Sequence, residues 1–236
     1  MTELTILTFN SHGGVGAKSH VPFPLADALC TWPADVTVVQ ECWRPDVGRA
    51  EIDLAHARLG GQLLEVDFGP GVVLPHPELL PHGNGRYSIA VLTRFPTEVV
   101  GELRLRDVKV DPLRDRRALH LRIRVEGRAV DLVALHTTSR LPHGPPLQLR
   151  SLLPQVPPAG RPTIVVGDCN FWATGVDAIF RGWRRAVRGA TWPAWRPHSQ
   201  IDHILVRPGD IDVVEGEILD DVGSDHLAIR ARLRLR

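Results

Sequence analysis

The sequence predicts a single domain of the α+β class spanning residues 1–236, and three features of the chain carry this prediction. Residues 36–42 and 164–169 are apolar stretches of strand length, and an acid stands near the end of each. Residues 117–136 alternate between apolar and polar side chains on both sides of a Glu-Gly-Arg turn, which is the pattern of an antiparallel hairpin. Residues 46–59 have helical spacing, and no linker-like stretch divides the chain.

Composition excludes several classes of protein. With 236 residues and 43% hydrophobic side chains, the chain can bury a substantial core. No apolar run approaches the roughly 20 residues that a membrane helix requires, and no signal peptide pattern is seen, so we expect no stable membrane association. The three cysteines lack CxxC spacing, which argues against a disulfide framework or a thiolate zinc site and favours the cytoplasm. A net charge of +1 gives no general argument for nucleic acid.

Residues 164–172 predict a polar site at the end of a strand. The apolar run is followed by Asp168 and Asn170, which an extended backbone would point in the same direction. An ordinary Asp/Asn turn after the strand is the alternative interpretation.

Two earlier strands end in a similar way. Residues 36–42 carry Glu41 near their end, and residues 4–9 lead into Asn10 and a glycine-rich loop. The similarity between residues 38–42 and the later acid-bearing strand predicts two related halves of the chain. We expect both to deliver an acid to a strand's carboxyl edge, where open sheets commonly build sites.

The predicted hairpin places two polar residues at strand ends. One face of its first strand is apolar, and the opposite face, with His120, Arg122 and Arg124, is predicted to be solvated. Arg117 has the parity of the apolar face and is expected at the mouth of the strand. His136 ends the partner strand, and a purely structural histidine is the alternative there.

Two further stretches are candidates for substrate contact. Residues 69–86 are rich in Gly, Pro and His, which predicts a surface loop near a cleft. Residues 181–198 interleave arginine with tryptophan, including Trp192, as suits stacking on bases or sugars combined with attraction to phosphate. These residue types also pack together on ordinary protein surfaces, so both interpretations stay open.

Asp202 lies inside a stretch that is otherwise apolar, where an ionised carboxylate is costly unless a donor meets it. His226 is the most attractive donor, because a bonded carboxylate would fix its tautomer and aim its second nitrogen at a cleft. No G-x-S-x-G elbow offers a serine nucleophile for such a pair. The chain instead has a surplus of oxygen ligands, which select Mg²⁺, Mn²⁺ or Ca²⁺ rather than zinc; these are Asn10, Glu41, Asp168, Asn170 and Asp225.

Six short motifs, taken in order, resemble the endonuclease/exonuclease/phosphatase superfamily, which includes DNase I-like nucleases and inositol polyphosphate phosphatases. Each motif is weak alone, but the six together span residues 4 to about 230 in the family's order. They are Thr8-Phe9-Asn10, Gln40-Glu41, Leu135-His136-Thr137, Gly167-Asp168-Cys169-Asn170, Ile201-Asp202-His203-Ile204 and Ser224-Asp225-His226. The resemblance implies a four-layer αββα sandwich, in which two mixed β-sheets pack face to face with helices outside.

The resemblance also implies a cation site and a mechanism. Glu41 would be the main ligand of Mg²⁺ or Mn²⁺, with Asn10 and Asp225 nearby, and phosphate-ester hydrolysis would occur at one edge of the sandwich. By matching motif positions, Asp168 would orient or deprotonate the attacking water, and Asn170 would hold a phosphoryl oxygen. His226, oriented by Asp202, would stabilise the charge that develops on the phosphoryl oxygens. His136 would contact the phosphate or assist the leaving group.

The chain departs from the family pattern at three places. Ser11 and His12 follow Asn10 where an apolar residue is usual, so His12 is a further candidate for the site. Cys169 replaces an aromatic or apolar residue, and its side chain should point away from the cleft. Gly85 and Arg86 stand where secreted DNases have a glutamate, which argues against a DNase I-like acid role for His136.

The leading hypothesis is a metal-dependent nuclease, since residues 181–198 and Arg117 could grip a polyanionic backbone; Trp192 and His12 are further substrate-binding candidates. The alternative enzyme is a phosphatase or phosphodiesterase for a small or lipid phosphate such as an inositol phosphate. A non-catalytic binding module would have lost some catalytic positions, and a zinc hydrolase using His12 and His20 lacks helical spacing. The expected partner is a nucleic acid or another phosphate ester, and we expect a monomer.

Overall fold

The protein is described by a computed structural model in which residues 2–67, 74–75, 84–111 and 113–236 are described. The loop predicted over residues 69–86 lies outside the described residues, except for residues 74–75 and 84–86, which are strand.

The described chain is built mainly of strands joined by short helices. In chain order the strands are β1 (Thr2–Asn10), β2 (Val36–Pro45), β3 (Gln62–Asp67), β4 (Leu74–Pro75), β5 (Asn84–Thr93), β6 (Thr97–Arg104), β7 (Arg117–Val125), β8 (Arg128–His136), β9 (Thr163–Asp168), β10 (Arg184–Arg185), β11 (Asp202–Val206), β12 (Ile211–Ile218) and β13 (Ile229–Leu235). The helices are α1 (Leu25–Thr31), α2 (Glu51–Leu59), α3 (Gly144–Leu152) and α4 (Ala173–Ile179). Over the described residues, none of the helices has the length and apolar character needed to cross a membrane.

The strands form two sheets with the same pattern of neighbours. The first has the order β12-β13-β1-β2-β5-β3, with β4 paired to β5, and the second has the order β10-β11-β9-β8-β7-β6. Each contains one parallel pair, β1 with β2 and β8 with β9, flanked by antiparallel strands. β2 and β9, the strands predicted to deliver acids, therefore occupy equivalent positions in the two sheets.

Strand periodicity divides the apolar residues between three layers of core. Alternate residues face inwards between the sheets, as Val38 of β2 and Val166 of β9 do. On the outer face of the first sheet, α1 and α2 pack against residues such as Val39. On the outer face of the second sheet, α3 and α4 pack against residues such as Val165. The predicted four-layer sandwich of helices and two mixed sheets is confirmed.

Two details differ from the sequence-based expectations. His120 was expected on a solvated face but is only 7% exposed, and its Nε2 lies 3.0 Å from Oδ1 of Asp131, which is also buried. The face is buried at His120, which pairs with Asp131 of β8, whereas Arg124 on the same face is exposed as predicted. The predicted helix over residues 46–59 begins later, at Glu51, so Val47 lies outside it and is 88% exposed.

Candidate active site

The two parallel strand pairs bring four polar residues to one edge of the sandwich. In the first sheet, Asn10 is the last residue of β1 and Glu41 lies within β2. His136 and Asp168 end β8 and β9 in the second sheet and are directly paired across the strands. Asn10 Nδ2 donates to Asp168 Oδ2 at 3.0 Å and to Glu41 Oε1 at 3.3 Å, so a single amide joins the acids of the two sheets.

Local backbone geometry turns the side chains of Glu41 and Asn170 into the site. Glu41 lies at a β-bulge in β2 and has φ +48°, and Asn170 has φ +44°. For residues other than glycine, sparsely populated backbone conformations of this kind cost about 1–3 kcal/mol and are enriched at functional sites. Ser11 Oγ donates to the carbonyl of Glu41 at 3.1 Å, and Asn170 N donates to Asp168 Oδ1 at 2.7 Å. Asp168 and Asn170 thus form a turn, as in the alternative interpretation, and also face the same cavity.

Asp168 is fully buried yet remains ionised. Burial alone would raise the pKa of its carboxyl, but the charge of His226, the neighbouring His136 and the N–H of Asn170 outweigh burial and hold the pKa well below its usual range. The two imidazoles lie close by, with His136 Nε2 at 3.4 Å and His226 Nε2 at 3.9 Å from Asp168 Oδ2.

His226 is held by Asp202, as its sequence context predicted. Its Nδ1 lies 2.9 Å and 3.1 Å from the two oxygens of Asp202, which is 1% exposed at the start of β11. Burial would lower the pKa of His226, but the carboxylates of Asp202 and Asp168 raise it to about 10. The ring therefore carries a proton on each nitrogen at neutral pH, and its Nε2 is a donor. Ser224 fixes the loop, accepting from His226 N and donating to the carbonyl of Asn10.

His136 and Asn170 lie together beside Asp168. Asn170 Nδ2 is 3.2 Å from His136 Nε2 and donates to the carbonyl of Thr137 at 3.0 Å. His136 Nε2 is also 3.6 Å from Glu41 Oε1. The imidazole of His136 therefore has two carboxylates, Glu41 and Asp168, and the amide of Asn170 as its neighbours.

These residues open onto a cavity of about 340 Å³. Its lining includes seven of the residues predicted for the site, namely Glu41, His136, Asp168, Asn170, Trp192, Asp225 and His226. Asn10 and Asp202, both 1% exposed, lie beneath it and act through their neighbours. Trp192 donates from its indole Nε1 to Asp225 Oδ2 at 3.2 Å, which fixes the ring against the acid.

Two predicted substrate-binding residues are not part of the cavity. Arg117 is engaged by Glu102 at 2.6 Å and by Asp115 at 2.7 Å, and it does not line the cavity. The preceding Arg116 does, with its Nε 2.6 Å from Asp111 Oδ2. His12 is also outside the lining, and its Nδ1 lies 3.0 Å from the carbonyl of Val15. The side chains of Arg117 and His12 have other partners outside this lining, so their assignment to substrate binding stays a prediction from sequence.

Sequence reasoning missed six lining residues. They are Arg116, Ser139, Leu141, Trp172, Ser199 and Ile201. Proximity in sequence could have indicated most of them, because Trp172 follows Asn170, Ser139 follows His136, and Ile201 precedes Asp202. Their direction could not be inferred, because side chains in loops do not follow a fixed period.

The acids present fit a hard divalent cation. Glu41 and Asp225 line the cavity together, and Asp225 Oδ1 is buried without a hydrogen-bond partner among the described residues. Such an uncompensated carboxylate oxygen is costly unless a cation meets it. Ligand atoms of Asp168, Asp202 and His226 also lie within 4.8 Å of one another, but a His226 ring that is protonated on both nitrogens has no lone pair to offer a cation.

Asn10 is oriented differently from a metal ligand. Its amide nitrogen faces Glu41 and Asp168, and its Oδ1 accepts from His12 N at 3.0 Å. In this orientation Asn10 positions the two carboxylates and offers no oxygen to a cation. Direct ligation by Asn10 would require its amide to rotate.

A family model for the endonuclease/exonuclease/phosphatase family matches residues 7–226, which is nearly the whole chain. The chain belongs to this family. As a member of the endonuclease/exonuclease/phosphatase family, it is a phosphoesterase in the broad sense. A comparison with curated proteins found none that matches the sequence.

Solved structures share the fold of this family member. An endonuclease/exonuclease/phosphatase from Beutenbergia cavernae is 24% identical with a TM-score of 0.77, covering 100% of this chain and 72% of its own. A mannosyl-6-phosphatase from Bacteroides thetaiotaomicron is 16% identical with a TM-score of 0.73, covering 98% and 100%. The catalytic domain of human Nocturnin, with a bound sulfate anion, is 17% identical with a TM-score of 0.71, covering 100% and 94%. At these identities the similarity establishes the DNase I-like fold alone.

Proposed function

We propose that this protein is a divalent-metal-dependent phosphoesterase that hydrolyses its substrate by in-line attack of water. One observation carries the proposal: buried Asp168 lies 3.9 Å from Nε2 of His226, and both line a cavity that Glu41 and Asp225 also line. An acceptor for water, a donor for a phosphoryl oxygen and a set of carboxylates for a cation are the parts that this chemistry requires.

Asp168 is suited to orienting the attacking water. Its low pKa keeps it an acceptor at physiological pH but makes it a weak base, so it aligns the water and takes up its proton only as the phosphorus–oxygen bond forms. Asn10 and the N–H of Asn170 hold the two carboxylate oxygens from different sides. Positioning therefore accounts for much of its contribution.

His226 is suited to stabilising charge on the phosphoryl oxygens. Its proton at Nε2 faces the cavity, and its Nδ1 is held by Asp202, so the donor is fixed before substrate arrives. Asn170 and His136, which lie next to each other beside Asp168, would supply further donors to a phosphoryl oxygen. No covalent enzyme intermediate is required.

Glu41 and Asp225 would hold the cation, Mg²⁺ or Mn²⁺, because hard carboxylate oxygens select these ions. When bound, the cation acts as a Lewis acid toward the phosphoryl group. Asn10 and Trp192 each hold one of these carboxylates in place.

The cavity favours a small phosphate ester over a polynucleotide. The sequence favoured a nuclease because of Arg117 and residues 181–198, but Arg117 is engaged by two acids and Trp192 alone represents that segment in the lining. Arg185 in the same segment is held by Asp177 and Gln200. A mannosyl-6-phosphatase among the structural neighbours also supports a small substrate. Nuclease action remains the competing candidate.

The test is an assay of purified protein with Mg²⁺ or Mn²⁺ against plasmid, single-stranded, abasic and inositol-phosphate substrates and aryl phosphates. We expect at least one phosphate ester to be hydrolysed, EDTA to stop the reaction, and Asp168→Asn to lose about 10²- to 10⁴-fold in kcat. Asp220→Asn, at an exposed aspartate, is the matched control and should be fully active. Plasmid nicking with steep loss of affinity in salt would instead favour the nuclease. Metal-independent activity would refute the proposal.

We also propose that the protein works as a monomer in the cytoplasm. All three of its cysteines are free thiols, which suits a reducing compartment.

A further inference from the structure

Part of the cavity wall has no role in the proposed hydrolysis. Beyond the acids and histidines, its lining includes Leu141, Trp172, Trp192 and Ile201, together with the hydroxyls of Ser139 and Ser199. A site that bound only a phosphate group and its cation would not need two indoles and two branched aliphatic side chains.

Two of these apolar residues are exposed in a way that the fold does not require. Trp172 is 47% exposed and Leu141 is 49% exposed, and both line the cavity. Trp172 directly precedes α4 and lies against Phe171, with ring centroids 5.8 Å apart. Its other surface is open to the cavity, so an aromatic surface is presented to a ligand and not to the core.

The second indole is rigid. Trp192 bonds Asp225 through its nitrogen, its ring is perpendicular to that of His198 at 5.7 Å, and its backbone pairs with Ser199. Ala194 N also donates to the carbonyl of Asp225. Because Trp192 is fixed to Asp225, a proposed cation ligand, this wall of the cavity sets where the organic part of a substrate lies relative to its phosphate.

Positive charge in the lining is limited. Of the described residues that line the cavity, Arg116 alone is an arginine or lysine, and it already neutralises Asp111. The cavity volume of about 340 Å³ lies at the small end of the range of roughly 300–1,000 Å³ typical of small-molecule sites. Charge and size together suit one phosphate group and one compact organic group.

We infer that the substrate is a small phosphate ester whose organic part carries a flat aromatic ring, and that this ring stacks on Trp172 beside Leu141. This inference rests on the proposed function, since it assigns the substrate class of the same site. Stacking is favoured because every flat ring offers a π-face and the exposed indole loses water on contact. Trp172 is accordingly a specificity-determining residue and does not take part in the chemistry.

The test compares the binding of two phosphonates, which share the anionic group and differ in the ring. Calorimetry in Mg²⁺ would measure the affinities of phenylphosphonate and methylphosphonate for the wild-type protein. We expect phenylphosphonate to bind about 5- to 150-fold more tightly, the range expected for stacking on one aromatic side chain. Trp172→Ala should abolish this preference and leave methylphosphonate binding unchanged, and Trp172→Phe should retain most of it.

Trp195→Ala is the matched control, because Trp195 is also 47% exposed but does not line the cavity. It should retain the full preference. Equal affinity for the two phosphonates, no binding of either, or an equal loss of preference in Trp195→Ala would overturn the inference. The hydrolysis assay tests the proposed function separately. A protein that prefers phenylphosphonate but hydrolyses no ester would refute the proposed function alone. An active enzyme without this preference would refute only the inference that the substrate carries an aromatic ring.

Discussion

His226 and Asp202 form a buried pair, and the second ring nitrogen of His226, Nε2, is the proposed hydrogen-bond donor to the phosphoryl group. Because Asp202 and Asp168 raise the pKa of His226 to about 10, the protonated ring persists through neutral pH and is lost only as the pH rises through that value. Asp202→Asn removes one of these charges, so the pKa of His226 should fall and the alkaline loss of kcat/KM should move to lower pH. Each pH unit above the new pKa lowers the protonated fraction about tenfold, so we expect the loss relative to the wild type to grow by up to about tenfold per pH unit on the alkaline limb. The measurement is kcat/KM from pH 5 to 10.

A second buried pair provides the matched control. Asp131, which is 3% exposed, contacts His120 at 3.0 Å on the outer face of the second sheet, away from the cavity. Asp131→Asn should lower stability without moving the pH profile, because His120 donates nothing to the substrate. If the alkaline limb of Asp202→Asn coincides with that of the wild type, His226 is not the required donor.

Arg116 is the other residue, besides His226, that brings positive charge to the cavity lining. Burial alone would raise the pKa of Asp111, but Arg116 lowers it below its ordinary value, so the two side chains form a buried ion pair. Removing Arg116 alone would leave the buried carboxylate of Asp111 without its cation, and we therefore use the double variant Arg116→Gln with Asp111→Asn. We expect KM for a phosphate ester to rise about tenfold or more through loss of a charged contact, with kcat changing little.

Arg117→Gln tests whether position, and not charge alone, decides the effect of Arg116. Arg117 is adjacent in sequence but is engaged by Glu102 and Asp115 outside the lining. Steady-state kinetics should give Arg117→Gln a KM within about twofold of the wild type. A larger effect at Arg117 than at Arg116 would contradict the assignment and restore the prediction made from sequence.

At the scale of elements, the end of β9 depends on a close approach of two strands. Gly167 has φ +138°, and a Cβ there would lie 2.0 Å from the carbonyl oxygen of Leu135 in β8. Gly167→Ala should therefore force apart the pair that aligns Asp168 with His136, and we expect a loss of about 3 kcal/mol or more in the free energy of unfolding.

Gly127→Ala is the control for backbone strain alone. It stands in the turn between β7 and β8 with φ +83° and nothing within 4 Å of its missing Cβ, so it should cost only about 1 kcal/mol. Urea denaturation of both variants measures the difference. Equal costs would mean that β8 and β9 can separate at this point without penalty.

Elements with a strict period were the ones that sequence could predict. The hairpin of β7 and β8 was anticipated within a residue because its alternation extends over both strands. The positions of Asp168 and His136 also followed, since each ends a strand. Glu41 was expected at a strand end but lies at a bulge inside β2, which continues to Pro45.

What sequence could not supply depends on layers and loops. His120 has the alternation of a solvated residue, but it is buried together with Asp131 of the neighbouring strand. Arg116 and Arg117 are indistinguishable in sequence, because the backbone before β7 has no fixed period. Trp172 and Leu141 enter the cavity through loops whose course depends on the assembled sandwich.

For the whole molecule, the proposed cation site exists only in the folded chain. Glu41 of β2 and Asp225 of the loop before β13 are far apart in sequence and meet at the cavity only because β1 pairs with both β2 and β13 in the first sheet. An unfolded chain would not hold these carboxylates together, so a cation that binds them must stabilise the folded state by mass action. At about 100 times its dissociation constant, Mg²⁺ or Mn²⁺ should add about 2.7 kcal/mol, which corresponds to a rise in Tm of roughly 5–11 °C for a chain of this size.

Thermal unfolding with Mg²⁺, with Mn²⁺ and with EDTA measures this stabilisation without reference to activity. Glu41→Gln should reduce the metal-dependent rise in Tm to less than about 2 °C, because it removes a charged ligand. Glu98→Gln, at an exposed glutamate on β6, should keep the full rise. A rise in Tm of the same size in Glu41→Gln, or none in the wild-type protein, would mean that Glu41 and Asp225 do not bind a cation. The protein would then need another source of Lewis acid for phosphate-ester hydrolysis.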